Sequence, residues 1–549
     1  MVSATHRFRG FLWTGSSLGA QAVMRLVTVA LLARLLPPAD FGVAEATAVA
    51  IGLAAVLGDL GLSAALVQQP VLERRHLRAA TAVLLAVSVA LMATTLLVAA
   101  PVARLLHLPE LAQTLPIQSL ALVLAAAGVV PEALLQRDLR LGELARAELT
   151  AHLVGHLIVS VVLAWAGFGY WSLVLAHLAQ VGLRSLLLLL HQPWRLEREP
   201  VAGAPGHPEN PGGDPGRPSW RQGWPLWRWS WPLWDRASVR ELASFGGAWT
   251  AIRVANHLGA YGDDLVVGRR LGASAMGLYG RASQWMRSPT SMLSTALDRV
   301  MFPVLARARH DLPGLQHAFR RGHVVVGLIM LPASVLLLVF APAVVRLALG
   351  PAWLDAVLPL QILAPALALR TSFKLSDTLA RATGRVGASA WRHGVYGVLV
   401  CVAAAVGTSV GLYGVALGVV TVIGLQCALM ADLSRRITGL SWSELAATLV
   451  PGGVVALLVA AAWLAARGLG ALVGAGDLAQ VALDAAAVLV AALGLLRKPA
   501  LRGPLGDDAE WALALVHQHL PGWAGHWLAL RPAAPPPPRP GRAGAGEAR

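Results

Sequence analysis

The sequence predicts an all-α polytopic membrane protein of about fourteen transmembrane helices, arranged as two six-helix lobes related by a parallel pseudo-repeat plus two C-terminal helices. Three observations carry this. The 549 residues are 56% hydrophobic and only 13% charged, with mean hydropathy +0.61, whereas soluble chains are about 25% charged. Basic residues concentrate in every second loop between apolar runs. Two short stretches of the first half recur in the second at corresponding places.

Each apolar run of roughly 18 residues or more can cross a hydrocarbon core of about 30 Å as a helix. Six such runs come first, at 11–33, 42–66, 79–103, 114–135, 147–166 and 170–191. Gln21 and Arg25 in the first run, with no small-residue cleavage site after it, argue for a retained helix and not a cleaved signal. Eight more follow at 242–267, 277–304, 323–348, 356–380, 389–409, 411–432, 444–466 and 475–496. Between the two sets lies Pro193 to Ser238, with APGHPENPGGDPGRP and then SWRQGWPLWRWSWPLW, which cannot span. Its tryptophans and arginines suit a headgroup zone, and a variable insertion is the alternative. The tail from Arg531, RPAAPPPPRPGRAGAGEAR, has the composition of a disordered segment.

Counting basic residues in the loops, one side receives twenty, from Arg7 and Arg9 through Arg381, Arg385 and Arg392 to Arg497, Lys498 and Arg502. The other receives six: Arg34, Arg104, Arg269, Arg270, Arg346 and Arg467. The positive-inside rule places the rich side, and both termini, in the cytoplasm. A missed span would invert every later loop, so span count and alternation support each other.

The first external hairpin is ARLLPPADFG. Its prolines end the first helix, lacking an amide hydrogen and restricting the preceding residue, and Asp40 is placed to cap the next. Shifted by 235 residues, RLLPPADFG (Arg34 to Gly42) falls on RRLGASAMG (Arg269 to Gly277), matching Arg34 with Arg269, Leu36 with Leu271 and Gly42 with Gly277. Shifted by 243, PIQSL at Pro116 falls on PLQIL at Pro359. Parallel repeats of this kind build transporters with a site between the halves. The resulting division is 1–192 for the first lobe, 193–238 for a cytoplasmic linker, 239–436 for the second lobe, 437–498 for two further helices and 499–549 for a cytoplasmic tail.

Several function classes are excluded or disfavoured. The net charge of +16 is almost all arginine, since Lys374 and Lys498 are the only lysines. Topology-setting loops account for it without nucleic acid. Cys401 and Cys427 lie in apolar runs with no CxxC spacing, which points to neither a disulfide framework nor a zinc site. Neither lysine follows a glycine, so there is no Walker A loop. No HExxH, GxSxG or large external loop offers an enzyme site, and no cofactor is expected.

Ionisable groups inside spans are costly unless they face water or a partner, and each is a functional candidate. Arg370, Lys374 and Asp377 share one helical face at i, i+4 and i+7. With Arg25, Arg253 and Arg287 they suit a cationic cavity for a phosphate or diphosphate, which arginine's planar fork grips well. Snorkelling or structural ion pairing is the alternative. Arg281 and Arg287, six apart, are about 120° off a common direction and do not both point at one ligand atom. Asp59, Asp263 and Asp264 are placed to bind a coupling proton or sodium ion, or to pair with a neighbouring arginine. His152 and His156 stand at a spacing that can hold a metal, but no acidic or cysteine ligand adjoins them, so helix packing or a polar contact is preferred.

The stretch YGDDLVVGRRLGASAMGLYGRA (Tyr261 to Ala282), followed by Pro289 and FPVLAR, resembles the start of the second half of bacterial polysaccharide flippases. These belong to the multidrug, oligosaccharidyl-lipid and polysaccharide exporter superfamily. GDLGLSAALVQ (Gly58 to Gln68), PEALLQRDLR and LARAE are similar to its O-antigen and exopolysaccharide branch, and the likeness covers roughly residues 8 to 498. The resemblance implies alternating access between two lobes. The implied cargo is an undecaprenyl-diphosphate-linked oligosaccharide, moved from the inner to the outer leaflet of the bacterial cytoplasmic membrane for lipopolysaccharide or exopolysaccharide biosynthesis. It implies a lipid-linked oligosaccharide and membrane lipid as partners, together with a polysaccharide polymerase and glycosyltransferases. Asp263 matches the family's aspartate before the LxxG turn, and Gly277 and Tyr279 its second-half hairpin. The Trp-rich insertion departs from the pattern. An ion-coupled multidrug exporter of the same superfamily is the alternative, disfavoured because a cavity for organic cations should be rich in carboxylates. A membrane glycosyltransferase or polymerase is less favoured, for want of acidic residues on a sizeable external loop.

Overall fold

Apolar runs become helices, and prolines and glycines become their ends, in the computed structural model of the chain. It describes residues 24–59, 62, 66, 74–138, 140–191, 236–473 and 476–497. The Trp-rich stretch, the tail expected to be cytoplasmic and the first 23 residues lie outside these. Among the described residues there is no β-strand.

In chain order the helices are α1 (24–35), α2 (Pro38–Asp59), α3 (Arg74–Leu106), α4 (Leu111–Arg137), α5 (Leu141–Trp165) and α6 (Trp171–His191). Then come α7 (236–271), α8 (273–308), α9 (Leu312–Leu349), α10 (Pro351–Leu363), α11 (Ala366–Ala382), α12 (Val386–Val410), α13 (Leu412–Thr438), α14 (Trp442–Val473) and α15 (Asp477–Arg497). Nine of them are long and apolar enough to cross a membrane, and the pair α10 and α11 makes a tenth. The other four expected spans fall on α1, α7, α8 and α15, in keeping with a total of fourteen.

Local chemistry sets the ends. Gly272, at φ 87°, separates α7 from α8, a conformation open to glycine and strained for other residues. The capping box of Ser441 and Glu444 starts α14. Two expectations need correction. Asp40 is not the residue that precedes α2 but lies inside its first turn, because Pro38 takes the first helical position, where a missing amide hydrogen costs nothing. The span expected at 356–380 is broken, with α10 and α11 meeting at 49°. Pro365 sits at the break and cannot donate the hydrogen bond that would continue the helix.

The helices gather into two units. Of the described residues, the first takes those within Met1–Arg25, Thr47–Arg104 and Pro109–Val254, and the second those of Leu26–Ala46, Leu105–Leu108 and Ala255–Arg549. In the first unit, α4 and α6 approach closely at Gly128, where a Cβ would stand 2.8 Å from Ser185 Oγ. Small residues at such crossings let backbones meet where no hydrophobic force drives association. Arg184 on α6 bridges Glu132 at 2.9 Å and Glu148 at 3.4 Å. In the second unit, α9 and α14 cross at Gly327 and Gly452, where a Cβ on the latter would lie 2.2 Å from the Gly327 carbonyl oxygen. Leu305, Phe319, Val326, Leu375 and Leu379 form its apolar core.

Candidate functional site

The two echoed hairpins meet each other within the second unit. A Cβ on Gly42 would lie 1.9 Å from the carbonyl oxygen of Ala273, and one on Gly277 would lie 1.9 Å from that of Pro38. Under the 235-residue shift Gly42 corresponds to Gly277 and Pro38 to Ala273, so the two contacts are copies of one another. This is the signature of a local two-fold relation, in which residue i meets j and the equivalent of i meets the equivalent of j. Glu45, three residues beyond Gly42, faces Gly280, its own equivalent, with Cγ 3.4 Å from the position of a Cβ there.

Behind this contact lies a buried charged cluster. The Arg281 guanidinium donates to Glu45 and to Gln284. Arg287 donates to Asp264 Oδ2 at 3.1 Å and to the Ala260 carbonyl at 3.0 Å, and its Nη2 lies 3.9 Å from Glu45 Oε1. Its guanidinium also lies over the Tyr261 ring, 4.8 Å from the centroid. Arg281 and Arg287 therefore converge on one carboxylate despite their angular separation, each long side chain reaching a different oxygen. Asp263 accepts from the Tyr279 hydroxyl at 2.7 Å. Sequence reading assigned Tyr279 to the hairpin and missed this partnership, whose signal was an aromatic hydroxyl sixteen residues after a paired-aspartate motif.

A second charged region runs along one face of α11. At its C-terminal end Arg381 donates to both Asp298 oxygens, at 2.7 and 2.8 Å, and its Nε lies 3.3 Å from Asp377 Oδ2. Asp377 also accepts from Ser389 and lies 3.3 Å from His393 Nε2. Arg381 and Arg392, counted above as loop residues, lie inside α11 and α12, and Arg392 is buried. One and two turns before Asp377 the face changes. Arg370 and Lys374 are half-buried, and among the described residues no hydrogen bond or ion pair reaches either cationic group. Lys374 feels the charges of Arg370, Asp377, Arg381 and Asp298 without touching them.

The remaining candidates are dispersed. Arg25 is exposed on α1, and its charge reaches His152 on α5. Arg253 is half-buried on α7, in the part belonging to the first unit. Asp59 ends α2, and its side chain lies outside the described residues. His152 and His156 lie in a π-helical stretch of α5, Ala151–Ile158, with their rings stacked at 5.2 Å. The first unit also holds a cavity of about 300 Å³ lined mostly by alanine, glycine and aliphatic side chains, with Ser88 and His177 as its polar members.

An all-helical polytopic membrane protein with an internal repeat and charged side chains held within its helices is the class these features define. The chain belongs to the family described as "Polysaccharide biosynthesis protein", whose pattern matches residues 31–200 and 223–358, more than half of the sequence. Among curated relatives, it is similar to the "Lipopolysaccharide biosynthesis protein WzxC" of Escherichia coli (strain K12), 27% identical over 72% of this chain and 73% of that protein. It is also similar to the "Succinoglycan biosynthesis transport protein ExoT" of Rhizobium meliloti (strain 1021), 26% identical over 64% of each. Of solved structures, it shares its fold with the "Lipid II flippase MurJ, inward closed conformation" at TM-score 0.63 and 10% identity, over 89% of this chain and 99% of that one. An inward-facing multidrug resistance MATE family transporter of the MOP superfamily matches at TM-score 0.57 and 16% identity, over 76% and 95%.

Proposed function

We propose that the protein moves an undecaprenyl-diphosphate-linked oligosaccharide from the inner to the outer leaflet of the bacterial cytoplasmic membrane by alternating access, for polysaccharide biosynthesis, without making or breaking covalent bonds. The observation that carries the reading is the pair Arg370 and Lys374, two cations one turn apart in a membrane-embedded helix with, among the described residues, no anion on either. An unmatched charge at membrane depth is strongly disfavoured, and a diphosphate supplies the missing negative charge and the acceptor oxygens. The names of the relatives and the fold of the flippase neighbour support a lipid-linked cargo. Both termini are cytoplasmic in this reading, the lobes 1–192 and 239–436 rock against each other, and the helices of 437–498 are additional. Arg25 and Arg253 lie along the cargo's route, whereas Arg287, held by Asp264, is an anchor. A polymerase and glycosyltransferases act before and after translocation.

Replacing Arg370 and Lys374 together with alanine should stop polysaccharide export while the protein still reaches the membrane. Unchanged export would remove the diphosphate assignment.

A further inference from the structure

At one end of the second unit three guanidiniums share one carboxylate. Asp432 on α13 receives Arg436 at 2.7 Å, Arg435 at 3.2 Å and Arg392 of α12 at 3.8 Å. Arg392 also donates to the carbonyls of Ala388 and Leu429. Glu444, at the start of α14, does not offset the surplus. The Ser441 amide and hydroxyl hold it at 2.8 and 2.7 Å, and the charge of Arg320 acts on it. Two positive charges are left over, and Arg435 Nε is a buried donor with no acceptor among the described residues. A cluster of the first unit shows the reverse ratio, with the single Arg184 between Glu132 and Glu148.

Two tryptophans frame the cluster. The Arg392 guanidinium lies over the Trp391 ring, 4.6 Å from its centroid, and that of Arg435 lies over the Trp442 ring at 5.7 Å. Both rings are half exposed, at 51% and 52%. Indoles beside basic side chains favour the headgroup level of a bilayer. From Trp391 an exposed apolar stripe runs along α12 through Val395, Val398, Val402 and Val406, in steps of three and four residues that keep to one helical face. A cationic end joined to a long apolar stripe matches an amphiphile better than a small free anion.

We infer that this end of α12, α13 and α14 binds the phosphodiester headgroup of an anionic phospholipid. Arg435 and Arg436 are its main donors, Trp391 and Trp442 form its rim, and the valine stripe lies against an acyl chain. Arginine's planar fork suits phosphate oxygens, and basic pockets between membrane helices take such headgroups. The Arg436 side chain is 64% exposed and can turn to the phosphate while Asp432 keeps Arg392. A headgroup held this way ties together the ends of three helices. In the topology expected from the basic loops, that lipid belongs to the cytoplasmic leaflet. Neither Arg370 nor Lys374 belongs to this site, which does not depend on the transport reading.

Native mass spectrometry of the full chain, released from detergent and titrated with phosphatidylglycerol, tests the site without any transport assay. The wild type should keep phosphatidylglycerol under activation that strips phosphatidylethanolamine, which has the same phosphodiester but no net charge. In the double variant Arg435→Gln, Arg436→Gln the affinity for phosphatidylglycerol should fall roughly thirtyfold, because each basic residue near the surface adds to the attraction. The double variant Arg269→Gln, Arg270→Gln, at two exposed arginines of α7, should bind the lipid as the wild type does. Equal retention of the two lipids, an unaltered affinity in the Arg435 and Arg436 variant, or the same loss in the Arg269 and Arg270 variant overturns the proposal. Displacement of the lipid by millimolar inorganic phosphate overturns it in favour of a free anion. If the Arg435 and Arg436 variant does not accumulate, Trp391→Ala with Trp442→Ala decides the matter, since it keeps every guanidinium. Retention should then weaken severalfold, and unchanged retention overturns the proposal.

Discussion

Around Glu45, both arginines meet a carboxylate: Arg281 holds Glu45 and Arg287 holds Asp264 at 3.1 Å. On α11, in the same unit, Arg370 and Lys374 meet none among the described residues. Both regions place cations in helices of a membrane protein, yet one is closed upon itself and the other is not. Where the chain supplies its own counter-charges, the cations join helices that are distant in sequence, here α2 to α8. Where it does not, the proposed reading assigns the anion to the cargo. The change occurs within α11 itself, since Arg381, two turns beyond Lys374, is fully engaged by Asp298 and Asp377.

The largest effect that separates the two regions should come from the Arg370→Ala, Lys374→Ala double variant. Export should be lost, while the thermal unfolding midpoint of the purified protein stays within a degree or two of wild type. A large drop in that midpoint would mean these cations are structural after all. The opposite behaviour is expected of Glu45→Ala, which strands the buried Arg281. Breaking such a pair costs about 3–5 kcal/mol, and unfolding in denaturing detergent should show it. The charge-swapped variant Glu45→Arg, Arg281→Glu should recover part of the loss, and no recovery would argue against a direct pair.

Smaller effects sharpen the picture of the joint. Gly42→Ala and Gly277→Ala each push a methyl group onto a carbonyl oxygen, and overpacking of this kind costs about 1–3 kcal/mol. Because the two contacts are copies, the two variants should be destabilised by similar amounts. A wide difference would show that the local two-fold relation does not extend to energetics. Smallest is Trp353→Phe. Trp353 is fully buried, donates from Nε1 to the Ala33 carbonyl at 3.0 Å and meets the Phe41 ring edge-on at 5.0 Å. The variant keeps the ring contact and loses one hydrogen bond, worth about 1 kcal/mol, readable as a small shift in the same unfolding curve.

Legibility in the sequence followed the range of the interaction. The hairpin at Pro37 and Pro38, the break between the spans ending at 267 and starting at 277, and the shared face of Arg370, Lys374 and Asp377 were readable because each depends on residues close together in the chain. The break at Pro365 was missed because the apolar run continues through it, and hydropathy does not register a lost amide hydrogen. Arg381 and Arg392 were placed in loops because charge marks span ends on average, and only packing showed that Asp298 and Asp432 draw them into helices. Arg281 and Arg287 looked incompatible by helical angle, since that reasoning treats a long side chain as a fixed spoke.

Composition, the alternation of basic loops and the echo at a 235-residue shift determined by themselves that the chain is a polytopic helical protein with a repeated design. These properties arise from transfer free energy and local backbone chemistry, which act residue by residue. Which cations are matched and which are not was decided only in the tertiary structure. Ion pairing inside a membrane depends on angstrom-scale approach between helices far apart in the chain. Glu45 and Arg281, 236 positions apart, have no local relationship from which their contact could be read.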